Sequence, residues 1–114
     1  MSDPVQLRTD RPAPNCVVLS VVGEIDLVTA PGLETAIAEH VAVAPYLVID
    51  LSEVTFFGSL GLAALMRAMN QAEERGTRLL LVAGQRVLRT MDLTKTAELF
   101  SVYDSVDEAL RSNT

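Results

Sequence analysis

The sequence predicts an α/β fold: one layer of a mixed, mostly parallel sheet of four or five strands, with about four helices. Three observations lead there. Short runs at 16–22, 47–49 and 79–82, the first two rich in β-branched residues, are apolar without alternation, the mark of strands covered on both faces. Segments with apolar residues at helical spacing separate them, as with Leu62, Leu65, Met66 and Met69. Strands that alternate with helices imply parallel pairing through right-handed crossovers.

Residues 1–15 form an N-terminal arm with Pro4, Pro12 and Pro14. Val5 to Arg8 alternates and suits an edge strand, where neighbouring prolines are tolerated; 12–15 reads as a turn, which makes the first two strands antiparallel. The domain proper spans 16–111. Its first central strand, 16–22, is expected to end at Gly23. Thr29 as cap and Pro31 in the first turn start a helix over 30–41, with Leu33, Ala36, Ile37, His40 and Val41 inward. A strand at 47–49 ends at Asp50, and a connection follows through Val54, Phe56 and Phe57. The second helix starts at Ser59 and stops at Arg75-Gly76. Then come a strand at 79–82, a short helix over 85–92 with Val87, Leu88 and Met91 inward, a strand at 99–102, and a helix capped by Asp104 and anchored by Val106, Ala109 and Leu110. Residues 112–114 are expected to be a disordered tail.

Composition narrows the function. At 114 residues and 49% hydrophobic, the chain makes one domain with a core that depends on neither disulfide nor metal. A net charge of −6 without a basic cluster argues against nucleic acid and against anionic membranes. No apolar run approaches the ~20 residues that span a bilayer, and the start lacks a secretory pattern. The lone cysteine, Cys16, reads as a small buried hydrophobe in a reducing cytoplasm. One cysteine and one histidine make no metal set, and no cofactor is expected.

Ser59 is the candidate functional residue. At the entrance of a helix its hydroxyl is placed to cap free backbone N–H groups. Those N–H groups and the helix dipole also tolerate a phosphate there. At about 100° per residue, Leu60, Ala63, Ala64 and Arg67 fall opposite the core stripe. That leaves a small, apolar tip facing outward beside the hydroxyl, which suits a protein partner. Phosphate at such a tip would repel and desolvate badly in an interface.

The run Asp50-Leu51-Ser52-Glu53-Val54-Thr55-Phe56-Phe57-Gly58-Ser59-Leu60-Gly61-Leu62 resembles the signature of STAS domains of the anti-sigma factor antagonist family. Gly23-Glu24-Ile25-Asp26-Leu27 with Thr29-Ala30-Pro31, and Phe100-Ser101-Val102-Tyr103-Asp104-Ser105 with Glu108-Ala109-Leu110, resemble its second signature and its ending. The likeness covers about 16–111. It implies partner switching: an unmodified antagonist binds an anti-sigma factor of the serine-kinase type and frees a sigma factor, and phosphate on the motif serine, here Ser59, turns it off. It implies a phosphatase as the resetting partner, and a chain that is substrate and regulator rather than enzyme. The expected docking face is Asp26, Thr29, Gly58, Ser59, Leu60, Gly61, Ala63, Ala64 and Arg67, on a cytoplasmic monomer or weak dimer. The sequence departs from the family at Gly58, where aspartate is usual, at Leu60, often serine, and at Lys95-Thr96, commonly glycine-leucine. Gly58 favours the alternative of a phosphorylation-independent interaction or scaffold module.

Other chemistry fits poorly. Ser59 has Gly61 after it but Phe57 before it, so the hydrolase elbow is incomplete, and no base is at hand. The stretch around Gly58 lacks the lysine of a phosphate loop. Asp50 at a strand end resembles a receiver-domain acceptor, but Glu24 and Asp26 are not adjacent and Lys95 precedes the last strand. Asp50 reads instead as a turn-forming, loop-capping aspartate.

Overall fold

Strict alternation inside the three apolar runs decides how the sheet is covered. In a strand, successive side chains point to opposite faces. Val17, Leu19, Leu47, Ile49, Leu51, Leu79 and Leu81 join one large core, while Cys16, Val18, Val48, Leu80 and Val82 join a second, smaller one. A computed structural model describes residues 5–112. The first four residues of the expected arm, and Asn113 and Thr114 of the expected tail, lie outside the described residues.

The elements are β1 Val5–Ala13, β2 Cys16–Ile25, α1 Ala30–Val41, β3 Tyr46–Phe57, α2 Ser59–Arg75, β4 Arg78–Ala83, α3 Gln85–Thr94, a 3-10 turn Ala97–Leu99, β5 Val102–Tyr103 and α4 Val106–Arg111. The sheet runs in the order β1-β2-β3-β4-β5, with β1 antiparallel to β2 and every later pair parallel. Consecutive parallel neighbours with right-handed crossovers put α1, α2 and α3 on one face, over the large core. The six-residue α4 covers the small core through Ala109, which is fully buried, with Val106 and Leu110 packed at its margin. Burial pushes the Cys16 thiol up, which keeps it protonated and inert.

Several boundaries differ from expectation, each for a local reason. β1 continues past Arg8 to Ala13, because on an edge strand Pro12 costs no ladder bond and a register shift between Asp10 and Ala13 absorbs it. Gly23 does not end β2. Its φ of +122°, a conformation that favours glycine, lets β2 stay paired across the bulge in β3 and run on to Ile25. The connection after Asp50 is strand throughout: β3 extends to Phe57 and stays paired with β2, Ile25 opposite Phe57. Asp50 accepts from the Ser52 N–H (3.0 Å) and hydroxyl (2.7 Å), tying the bend where β3 shifts register. The strand expected at 99–102 starts later, at Val102. Residues 97–99 wind into the 3-10 turn so that Phe100 drops into the large core. Lys95 ends α3 in the left-handed conformation (φ 58°), the place where glycine is commoner. Ser105, not Asp104, caps α4, accepting from the Glu108 N–H at 3.1 Å, while Glu108 reaches back toward the Asp104 N–H. Ser112 is the C-cap residue of α4, and its hydroxyl donates to the Ala109 carbonyl (2.6 Å). Among the described residues no helix is long and apolar enough to cross a membrane.

Candidate functional site

The site forms where two parallel strands leave the sheet together. Ile25 and Phe57 are register partners, so the β2–α1 loop and the β3–α2 turn emerge side by side at the carboxyl end of the strands. Gly61 fixes how closely α2 approaches. A Cβ there would lie 2.6 and 2.8 Å from the Phe57 ring and 3.0 Å from Ile25 Cγ2, and both residues are buried. Only glycine admits this approach, which seats the first turn of α2 against both strand ends.

Ser59 is not the cap of α2. The helix cap is Gly58, extended at φ −111°, whose carbonyl accepts from the Leu62 N–H (3.1 Å). Ser59 is therefore the first helical residue, and its exposed hydroxyl makes no hydrogen bond to another described residue. With no side chain at the cap, the first N–H groups of α2 also lack a side-chain acceptor. A Cβ at Gly58 would meet nothing closer than the Phe56 ring at 3.5 Å, an ordinary contact, and the backbone is extended, so the position does not require glycine.

The β2–α1 loop is held by a reciprocal pair. The Asp26 carboxylate accepts from the Val28 and Thr29 N–H groups, both at 3.0 Å, and the Asp26 N–H donates to the Thr29 hydroxyl (2.9 Å). That hydroxyl donates to the Glu24 carbonyl at 2.7 Å. The Thr29 N–H, then those of Val28 and the Thr29 hydroxyl, hold the Asp26 carboxyl below the usual carboxylate range against the opposing effect of desolvation. Thr29 is the cap residue of α1, as expected, but its side chain makes no bond to the helix start; the hydroxyl turns back into the loop, to the Asp26 N–H and the Glu24 carbonyl. Thr29 is itself buried and offers nothing to a partner.

The rim of the site only partly follows the expected helix face. Ser59, Leu60 and Arg67 are exposed, and Gly58, Asp26 and Ala63 are half-buried. Gly61 and Ala64 are buried, Ala64 completely, and Met66, expected in the core, is exposed. The cause is α1. It packs beside α2 and rotates the buried stripe onto Gly61, Leu62, Ala64, Leu65, Ala68 and Ala72. Arg67 is engaged by Glu34 of α1 in an exposed ion pair, which draws the Glu34 carboxyl down and holds the guanidinium charged.

Three exposed apolar side chains at this end were missed by helix periodicity: Leu27 (74% exposed), Val28 (77%) and Phe56 (51%), beside Leu60 (43%). A signal existed for the first two, an apolar pair enclosed by the Asp26–Thr29 box, which turns both outward. Phe56 is set by a bulge. Gly23 pairs with Val54 and Glu24 with Phe56, so Thr55 is skipped, and Phe57 rather than Phe56 points into the core.

The geometry is that of an accessible hydroxyl on a rigid, apolar helix start, with no acid–base partner hydrogen-bonded to it. The model of the STAS domain family matches residues 9–109. The chain belongs to the STAS family. This STAS domain is 48% identical over 88 residues to the anti-sigma-F factor antagonist RsfB of Mycobacterium tuberculosis, an alignment that covers 74% of this chain and 72% of that protein. It resembles the crystal structure of an anti-sigma factor antagonist from Mycobacterium paratuberculosis at 38% identity and a TM-score of 0.88, covering 98% of this chain and 96% of that one. It shares its fold with the phosphorylated form of SpoIIAA, a Bacillus cell fate determinant, at 14% identity and a TM-score of 0.72, over 96% of this chain and all (100%) of that one.

Proposed function

We propose that this STAS domain is an anti-sigma factor antagonist that works by partner switching. Unmodified, it docks the β3–α2 turn, the first turn of α2 and the Leu27-Val28 loop on an anti-sigma factor of the serine-kinase type in the cytoplasm. The kinase, which supplies ATP, Mg²⁺ and the catalytic groups, phosphorylates Ser59, and a phosphatase resets it. This chain is then a substrate and a regulator, not an enzyme. The antagonist relatives from two mycobacteria support the role. The observation that carries the switch is Ser59 itself: a free, exposed hydroxyl on the first residue of α2, next to exposed Leu60, at the end of the sheet where Leu27, Val28 and Phe56 are also exposed. A phosphate there meets the uncapped N–H groups of the helix start, so the free protein tolerates it. In an apolar interface the same dianion is desolvated, and docking weakens.

Asp26, Gly58, Ser59, Leu60, Ala63 and Arg67 remain the proposed contact residues; Thr29, Gly61 and Ala64 position them from below. The test is the intact mass of the protein recovered from its native cells, wild type beside Ser59→Ala. The expected result is a phosphoryl adduct on the wild type that the variant lacks.

One observation favours a second reading. Gly58 leaves the usual acidic position empty although neither its backbone nor the space for a Cβ requires glycine. A module that binds without phosphate control accounts for that. Absence of the adduct in growth and in stress would favour this reading over the switch.

A further inference from the structure

The two edges of the sheet are unlike. β5, at one edge, is two residues long and gives a neighbouring chain little to pair with. β1, at the other, is nine residues long, and everything between its half-buried ends, Val5 and Ala13, is exposed. No strand flanks its outer side among the described residues. The helices are set back from it. α1 packs over β2 and β3 and reaches β1 through a 3.4 Å contact of His40 Nε2 with Thr9 Oγ1, and α4 packs over β3, β4 and β5. The outer N–H and C=O groups of such a strand are a template for another.

The charges of β1 are complementary to themselves. When two copies of a strand pair antiparallel, a two-fold axis passes through one residue position, and side chains directly opposite each other share a face. An axis at Arg8, Asp10 or Arg11 sets like charges against each other. An axis at Thr9, the midpoint of Val5–Ala13, sets Arg8 of each copy opposite Asp10 of the other and overlaps the strand from end to end. Arg8 and Asp10 are register partners of Ser20 and Val18, on the sheet face away from α1. Arg8 has no ion-pair partner among the described residues. Asp10 accepts the Arg11 N–H through Oδ1 (2.9 Å), which leaves Oδ2 for a guanidinium. That bond, the missing N–H of Pro12 and the register shift after Asp10 keep the ladder short, so the association is weak.

We propose that β1 pairs with β1 of a second copy of this chain, antiparallel about Thr9, and joins the two sheets into one. The two-fold runs β2 of one copy against β2 of the other, so their carboxyl ends, where the Ser59 sites lie, point to opposite ends of the joined sheet. Pairing covers neither site, and the dimer offers two docking surfaces at once.

The test is sedimentation equilibrium of the full chain at low salt, up to about millimolar concentration. The mean mass of the wild type should rise toward that of two chains. Arg8→Asp places acids opposite Asp10, and Asp10→Arg places arginines opposite Arg8, so each variant alone should associate about tenfold more weakly or worse. An equimolar mixture of the two variants restores unlike pairs and should associate about as tightly as the wild type. Both positions are exposed, so the variants keep the fold, which circular dichroism checks. A wild type that stays monomeric, a single variant that associates like the wild type, or a mixture no tighter than its components would overturn the proposal. Ser59 takes no part in the pairing, so a failure leaves the phosphorylation switch standing, and an unphosphorylated Ser59 leaves the dimer standing.

Discussion

Two buried threonines, Thr29 and Thr77, mark opposite ends of the sheet, and they are the buried polar side chains among the described residues. At the amino end Thr77 closes the entry to β4. Its hydroxyl lies 3.0 Å from the Val41 and Ala44 carbonyls, Arg78 N–H binds the Pro45 carbonyl (2.8 Å), and Tyr46 N–H binds that of Asn15 (3.1 Å). The loops there are tied to one another. At the carboxyl end Thr29 makes equally good bonds, but the loop it pins holds Leu27 and Val28 out in water. One end uses a buried hydroxyl to finish the fold. The other uses it to hold apolar side chains in a fixed, unpartnered display. Rigid backbone under exposed apolar side chains lowers the ordering cost of docking, which is the property an interface needs.

The sharpest way to break the comparison is to cut both threonines. Thr29→Val and Thr77→Val each leave buried backbone groups unpaired and should cost about 1–3 kcal/mol, read from urea midpoints. Only Thr29→Val should also weaken binding to the anti-sigma factor; equal losses of affinity would show that the two ends do not differ in role. Gly61→Ala comes next. It forces a Cβ into Phe57 and Ile25, so despite the helix preference for alanine we expect a loss of about 1 kcal/mol and shifted amide signals at Ser59 and Leu60. An unshifted helix start would show that Gly61 does not position the site. The smallest effect belongs to Asp26→Asn. The folded carboxyl is drawn below its usual value of about 3.9. It therefore contributes stability that is present above that value and is lost as pH falls through the lower folded one. Asparagine still accepts through its oxygen but does not titrate. The drop in urea midpoint between pH 7 and pH 3 should be smaller in the variant than in the wild type.

The parts of the fold that follow from side-chain period were legible in the sequence. The three doubly covered strands, α1, the stop of α2 at Gly76 and the inward residues of α3 all rest on local signals of glycine, proline and spacing. The misplaced boundaries are tertiary. Gly23 looks like a strand end until β3 pairs alongside it, and the apolar stretch through Val54, Phe56 and Phe57 looks like a connection until its pairing with β2 makes it strand, with a bulge at Thr55 that leaves Phe57 inside and Phe56 out. The face of α2 was misjudged for the same reason. Spacing alone gives a stripe, and only the packing of α1 decides that Ala64 is covered and Met66 is not. At the site, Ser59 was legible because its neighbours carry a motif. Its place as first helical residue rather than cap was not, since serine is the better cap and Gly58 prevails only because the chain is extended there.

The most direct measurement is the calorimetric affinity of the cognate anti-sigma factor for this protein with an unmodified Ser59 and with phosphoserine placed at position 59. The account predicts binding in the first case and at least tenfold weaker binding in the second, about 1.4 kcal/mol or more. Equal affinity for the two forms would contradict it.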